Sequence, residues 1–166
     1  MQGGFCRFPT FFIHLHDCAH ACADQNPARL SRPVQDNLNV NDMKRVIATP
    51  DAPKAVGPYS QAIEVNGTLY ISGQIPVNPA DGKVQEDIVA AAHQSLKNIG
   101  AILKEAGMTY DNVVKTTVLL ADIADFKAVN EVYAEYFTGD KPARACYQAA
   151  ALPLGVKAEI EAIAVR

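Results

Sequence analysis

The chain has 166 residues, 49% of them hydrophobic and 20% charged, with ten Gly and ten Pro, an ordinary globular composition. Fifteen basic against eighteen acidic side chains give a net charge of −3 with no Lys/Arg-dense block, which excludes the basic footprint of a duplex nucleic-acid binder. No stretch approaches the ~18 consecutive apolar residues of a membrane helix, and the run Phe8 to Leu15 is broken by Pro9, Thr10 and His14. A soluble, cytoplasmic protein is expected.

Residues 1–42 differ in kind from the rest. They contain no Lys and no Glu, yet hold Cys6, Cys18 and Cys22 and His14, His16 and His20, leaving only Cys146 and His93 for the remainder. A metal site is disfavoured, because the order of these residues has no paired CxxC knuckle and no zinc-finger spacing. Asp17, Asp24 and Asp36 against Arg7, Arg29 and Arg32, with Ser31 the sole serine, do not suit a transit peptide; the broken apolar stretch does not suit a secretory signal. From Asp24 to Asp42 the chain is polar, twice interrupted by Pro and without period, so it cannot bury enough apolar surface to offset ordering. Residues 1–42 therefore read as a disordered leader or non-native extension, and residues 43–166 as one domain.

From Met43 the pattern is regular. Lys44 to Ala48 suits an edge strand. Ser60 to Val65 and Thr68 to Ser72 flank Asn66-Gly67, the pair that readily takes the positive φ angles of a type I′ turn, and predict a hairpin. Ile88, Ala92, Leu96, Ile99 and Leu103 recur at helical spacing within Glu86 to Ala106, and Gly107 closes that helix as its C′ residue. The β-branched run Asn112 to Ala121 predicts a strand. Asp125 is a candidate N-cap for a second helix with Phe126, Val129, Tyr133 and Tyr136 or Phe137 on its inner face. Ala143 to Leu152 and Lys157 to Val165 are extended runs joined through Pro153-Leu154-Gly155, and Ile160, Ala162 and Ala164 alternate with Glu159, Glu161, Ile163 and Val165.

About six strands and two helices make a two-layer α/β sandwich. One sheet face takes the helices. The other needs cover as well, because Val113 to Leu120 and Ala145 to Leu152 are apolar on both sides, and an oligomer is the economical answer.

Arg144 is one of three arginines after Met43, in the nearly charge-free run PARACYQAAAL. A guanidinium there must be paired. One partner is Glu159, if the two runs form a hairpin; spacing alone favours such a structural ion pair over the alternative, in which the planar fork meets a ligand carboxylate. Cys146 has no histidine partner in the pattern, since His93 falls on the long helix, where it reads as a surface residue. Tyr59 precedes the hairpin and Gly73 follows it, positions that turn chemistry also explains. With no GxGxxG, P-loop, HExxH or GxSxG motif, neither cofactor nor metal is expected.

The segments GPYSQAI (Gly57 to Ile63), ISGQIPVNP (Ile71 to Pro79), VVKTTVLLADIADFKAVNEVYAEYF (Val113 to Phe137), PARACYQAAALP (Pro142 to Pro153) and EIEAIAVR (Glu159 to Arg166) together resemble the reactive intermediate deaminase A family, also called RidA or YjgF-like. The resemblance spans essentially all of residues 43–166. It implies a chorismate-mutase-like α/β fold, a homotrimer with clefts between subunits, and hydrolysis of reactive 2-imino acids, the enamine and imine products of pyridoxal-phosphate dehydratases, to 2-keto acids and ammonia. Position by position, it makes Arg144 the carboxylate-binding arginine and Glu159 the acid near the attacking water, with Tyr59, Gly73, Asn130 and Cys146 around the cleft. Residues 1–42 have no counterpart in it. The competing reading is a non-catalytic trimer that holds small keto acids in the same cleft, or that acts on protein or RNA partners.

Overall fold

The computed structural model describes residues 43–166, so the expectation of a disordered leader falls on residues outside those described. Six strands form a single sheet: β1 (Arg45–Ile47), β2 (Ala62–Val65), β3 (Thr68–Gln74), β4 (Val113–Leu120), β5 (Ala143–Gln148) and β6 (Ala158–Val165). Two helices, α1 (Ile88–Glu105) and α2 (Phe126–Tyr136), complete the domain. The strand order is β1-β2-β3-β6-β4-β5, antiparallel throughout except for the parallel pair β4/β5.

Local signals placed most elements. Asn66 (φ 51°) and Gly67 (φ 75°) occupy the two left-handed positions of the β2–β3 turn. The Asp87 side chain accepts from the Ala90 amide at the start of α1. At its end Gly107 (φ 71°) donates its amide to Lys104 O, and Met108 donates to Leu103 O, the paired bonds of a Schellman motif. The second helix begins differently from expectation. Asp125 makes no capping bond; Asp122 instead accepts from the Ala124 amide and opens a 3₁₀ turn, Ile123–Asp125, that runs into α2. Two aspartates three residues apart both suited the role, and the earlier one won because a tight turn precedes the helix proper. The run from Ala143 stops being a strand at Gln148, four residues short of the predicted Leu152.

The core lies between α1, α2 and one sheet face, with Leu69, Leu96, Ile99, Ile102, Leu103, Leu120 and Ile160 fully buried. Each such side chain contributes about 1.5–3 kcal/mol of transfer free energy. Ile160, Ala162 and Ala164 point into it, as their alternation predicted, and Ala158 joins them. His93 is not simply a surface residue: it is half-buried, with Nδ1 3.0 Å from the Tyr136 hydroxyl. Phe126 is also displaced from its expected place, remaining 39% exposed instead of joining Val129, Val132, Tyr133 and Phe137 inside.

The opposite sheet face is uncovered by any described element. Val46, Ile63, Tyr70 and Ile163 stand in register across four strands on that face, and Val46 and Tyr70 are 58% and 49% exposed. Leu119 and Tyr147 add a second apolar row leading to Glu159. A lone chain would expose this surface to water.

Candidate functional site

The strand order overturns the expectation that β5 and β6 form a hairpin bringing Arg144 to Glu159. β4 lies between them, Arg144 pairing with Thr116 and Glu159 with Leu119. Side chains alternate in facing along each strand, so Arg144 shares the helix-covered face with Thr116, whereas Glu159 shares the open face with Leu119. Two strand spacings of about 4.8 Å and three residues of about 3.3 Å put their Cα atoms about 14 Å apart, on opposite faces. An ion pair between them within one chain is excluded by this geometry. The candidate residues therefore fall into two groups.

The first group surrounds Arg144. Asn130, Tyr133 and Ala134 of α2, with Lys141, Pro142 and Arg144, line a cleft of about 390 Å³. Among the described residues Arg144 has no carboxylate within salt-bridge distance. Its guanidinium carbon instead stands over two aromatic rings of α2, 4.7 Å from the centre of Tyr133 and 5.6 Å from that of Phe126. Tyr133 is fixed by a 2.8 Å hydrogen bond between its hydroxyl and Thr116 Oγ1, and by its contact with Phe137, ring centres 4.4 Å apart. Cys146, two residues along β5 on the same face, is half-buried. Burial pushes its thiol up, against a smaller lowering by Arg144. At neutral pH it is a thiol, not a nucleophilic thiolate.

The second group surrounds Glu159. The β3/β6 register shifts between Ile71 and Gln74, and Gly73 sits in this irregularity. A Cβ on Gly73 would lie 1.9 Å from Glu159 Oε1 and 2.8 Å from its Cδ, so the carboxyl group occupies the space that any other residue's side chain would take. Burial, and secondarily the like charge of Glu161, hold the Glu159 carboxyl above the usual carboxylate range. Tyr59 and Gly73 share a neighbouring cleft of about 350 Å³ with Val56, Gln74 and Leu154.

The loop that carries Tyr59 is stapled by a residue that no sequence signal singled out. Gln61 is buried; its Oε1 accepts from the Thr49 amide at 2.7 Å and its Nε2 donates to the carbonyls of Thr49, Ala52 and Pro53. Ser72 Oγ donates to Ser60 O at 2.7 Å and locks the same loop onto β3. On the other side Asn98 of α1 donates to the carbonyls of Ile75 and Val77, fixing the chain as it leaves β3. Thr116, which anchors Tyr133, and Phe126, whose ring lies under Arg144, were likewise missed as site residues. Their only signals were a place opposite Arg144 on β4 and the seven-residue spacing of Phe126 and Tyr133 along one helical stripe.

The first group is thus a cation above aromatic rings with no acid beside it among the described residues, an arrangement suited to a carboxylate. The other is a carboxyl group of raised proton affinity beside a backbone stripped of a side chain, suited to holding water and moving a proton.

The sequence profile of the family described as "Endoribonuclease L-PSP" matches residues 49–166. A mouse protein named 2-iminobutanoate/2-iminopropanoate deaminase is 58% identical over 125 residues, covering 75% of this chain and 93% of its own length. Among solved structures, the Escherichia coli YjgF gene product is similar with a TM-score of 0.72 and 48% identity, over 74% of this chain and 98% of that one. E. coli TdcF with bound serine superposes equally well (TM-score 0.72, 43% identity, 74% and 98% coverage).

Proposed function

Because the chain belongs to the endoribonuclease L-PSP family, the RidA/YjgF proteins, we propose that it is a hydrolytic deaminase of reactive 2-imino acids whose carboxylate is held by Arg144. The observation that carries the reading is Arg144 itself: a guanidinium in a cleft, over two aromatic rings and with no acidic partner among the described residues. The serine bound to TdcF is an amino acid with the same α-carboxylate.

The chemistry asks little more of the protein. A protonated imine carbon is already electrophilic, so water adds to it directly and gives a carbinolamine. Glu159 takes the proton released by that water, and the proton passes to the amino group. Glu159, deprotonated again, takes the hydroxyl proton as the C–N bond breaks and passes it to the departing ammonia, and the oxygen closes to the carbonyl of a 2-keto acid. Orientation supplies the rate: the fork of Arg144 fixes the carboxylate and Glu159 fixes the water. Tyr59, Gly73, Asn130 and Cys146 complete the walls, Gly73 by leaving room for the carboxyl group of Glu159.

A 2-imino acid of three or four carbons cannot reach both Arg144 and Glu159 of one chain, which lie on opposite sheet faces. We infer a composite site in which one copy presents Arg144 and its neighbour presents Glu159, Gly73 and Tyr59. The apolar rows on the open face, Val46 to Ile163 and Leu119 to Tyr147, supply a surface for that contact. A homotrimer, the assembly the family resemblance implies, would repeat this contact head-to-tail and close it as a ring of three.

Residues 43–166 contain every group the reaction uses, and deletion of residues 1–42 is expected to leave the rate unchanged. The direct test is ammonia release from freshly generated 2-iminopropanoate. Wild type accelerates it and Arg144→Ala does not; a protein that binds 2-keto acids without accelerating ammonia release would be a ligand-binding trimer instead.

A further inference from the structure

The two rings beneath Arg144 serve the hydrophobic core unequally: Tyr133 is part of it, 6% exposed with its hydroxyl bonded to Thr116, whereas Phe126 remains 39% exposed. Seven residues apart, the two side chains stand two helical turns from each other on one stripe. Both meet the guanidinium within the ~6 Å at which a ring face attracts a cation.

An acidic residue at either place would also hold Arg144, but it would occupy the fork's donors and cancel its charge. A ring face does neither. It attracts the cation through its quadrupole and leaves the N–H groups at the edge of the guanidinium plane free to bond a carboxylate.

We propose that Phe126 and Tyr133 are positioning residues for carboxylate recognition: their rings orient the Arg144 fork without neutralising it, so the cation's full charge is available to the substrate. The inference rests on the assignment of Arg144 as the carboxylate ligand but not on turnover. It separates two properties usually supplied together by a salt bridge, rigidity and charge compensation, and keeps only the first. The two rings are anchored unequally. Tyr133 is held by Thr116 and Phe137, whereas Phe126 sits at the first position of its helix with its outer edge in solvent, so Phe126 is the one that can be changed without disturbing the fold.

The experiment uses the full chain and two probes of nearly equal shape: pyruvate, which carries the carboxylate, and pyruvamide, its uncharged amide. Binding of each is measured by calorimetry for wild type, Phe126→Leu, Phe126→Tyr and Tyr133→Phe. Phe126→Leu is expected to weaken pyruvate roughly three- to tenfold, the range of one partly exposed cation–ring contact, and to leave pyruvamide unchanged. Phe126→Tyr retains its ring and should stay within about twofold of wild type, whereas Tyr133→Phe keeps a ring but frees it from Thr116 and should weaken pyruvate more than pyruvamide. In turnover of 2-iminopropanoate the same Phe126→Leu loss appears in KM, with kcat nearly unchanged. The proposal is overturned if Phe126→Leu weakens both probes equally or neither, if Phe126→Tyr fails to restore pyruvate binding, or if wild type binds pyruvate no more tightly than pyruvamide. A wild type that releases no ammonia but shows the selective Phe126→Leu loss would refute the deaminase reading and uphold the aromatic one.

Discussion

Replacing Arg144 by Lys keeps a positive charge in the cleft and removes the planar fork. Lysine offers a point charge and rotating donors where the guanidinium offers two parallel ones, and it meets the rings of Phe126 and Tyr133 with a more strongly hydrated head. Losing a bidentate contact to a charged group in a partly desolvated cleft costs about 2–4 kcal/mol, or roughly 30- to 1000-fold in kcat/KM. Arg144→Ala should fall at or beyond the upper end. Stability should change far less, because among the described residues no acid is paired with Arg144 and removing it leaves none of their carboxylates uncompensated. What the fold loses is two cation–ring contacts, about 0.5–1 kcal/mol each, a fall in Tm on the order of 4–8 °C for a domain near this size. The assay is imine hydrolysis read as ammonia release, with thermal melts on the same preparations. A well-folded Arg144→Lys with near-normal kcat/KM would refute the reasoning, as would an Arg144→Ala whose entire loss of activity followed its unfolding.

Three further perturbations probe other parts of the structure. Burial raises the Glu159 pKa, so its charged form opposes folding: that contribution to stability is fully present below the ordinary carboxylate pKa and is lost as pH rises through the raised one. Glu159→Gln should accordingly melt at or above the wild-type temperature at pH 7 while losing most activity, and the wild-type rate should fall with acidification at a pH above the ordinary value of 4.5. Gly73→Ala puts a Cβ 1.9 Å from a carboxyl oxygen at the end of a flexible side chain; the carboxyl should swing away, cutting activity at least tenfold by loss of its position with little change in Tm. Glu64 accepts from both Arg45 and Arg166, which hold its carboxyl below the usual range. The stability it supplies is present above the ordinary pKa and lost as pH falls through the lowered one. Because both arginines are half-exposed, Glu64→Gln should cost only about 0.5–1 kcal/mol at pH 7, a difference that should vanish in melts taken in acid.

What could be read in the sequence was what neighbours in the chain decide. Asn66-Gly67, the Gly107 end of the long helix and the alternation of Ile160, Ala162 and Ala164 are short-range signals, and each has its expected structure. The pairing of strands is not short-range. Nothing between Ala143 and Val165 tells that β4, which precedes both extended runs, inserts between them, and from that single fact follows the separation of Arg144 from Glu159 onto opposite faces. Phe126 was misplaced for a related reason: a helical stripe of aromatic residues has the same period whether it faces leucines or a guanidinium. Arg144, Glu159, Tyr59, Gly73, Asn130 and Cys146 came from the family's motifs, and what the geometry adds is their division into two groups, with Arg144 and Glu159 on opposite sheet faces. Gln61, though inside the segment GPYSQAI, and Asn98 were not singled out, since a buried amide that staples a loop looks in sequence like any exposed one.

That division is tested most directly by mixing two inactive proteins. In a ring whose sites each take Arg144 from one copy and Glu159 from the next, Arg144→Ala and Glu159→Gln subunits exchanged at equal ratio rebuild an intact site wherever a Glu159→Gln copy donates its arginine to the glutamate of an Arg144→Ala copy. Random assembly makes about one site in four intact. Ammonia release from 2-iminopropanoate should therefore return to about a quarter of the wild-type rate once mass spectrometry shows mixed rings. Mixed rings that stay as inactive as either parent would contradict the composite site.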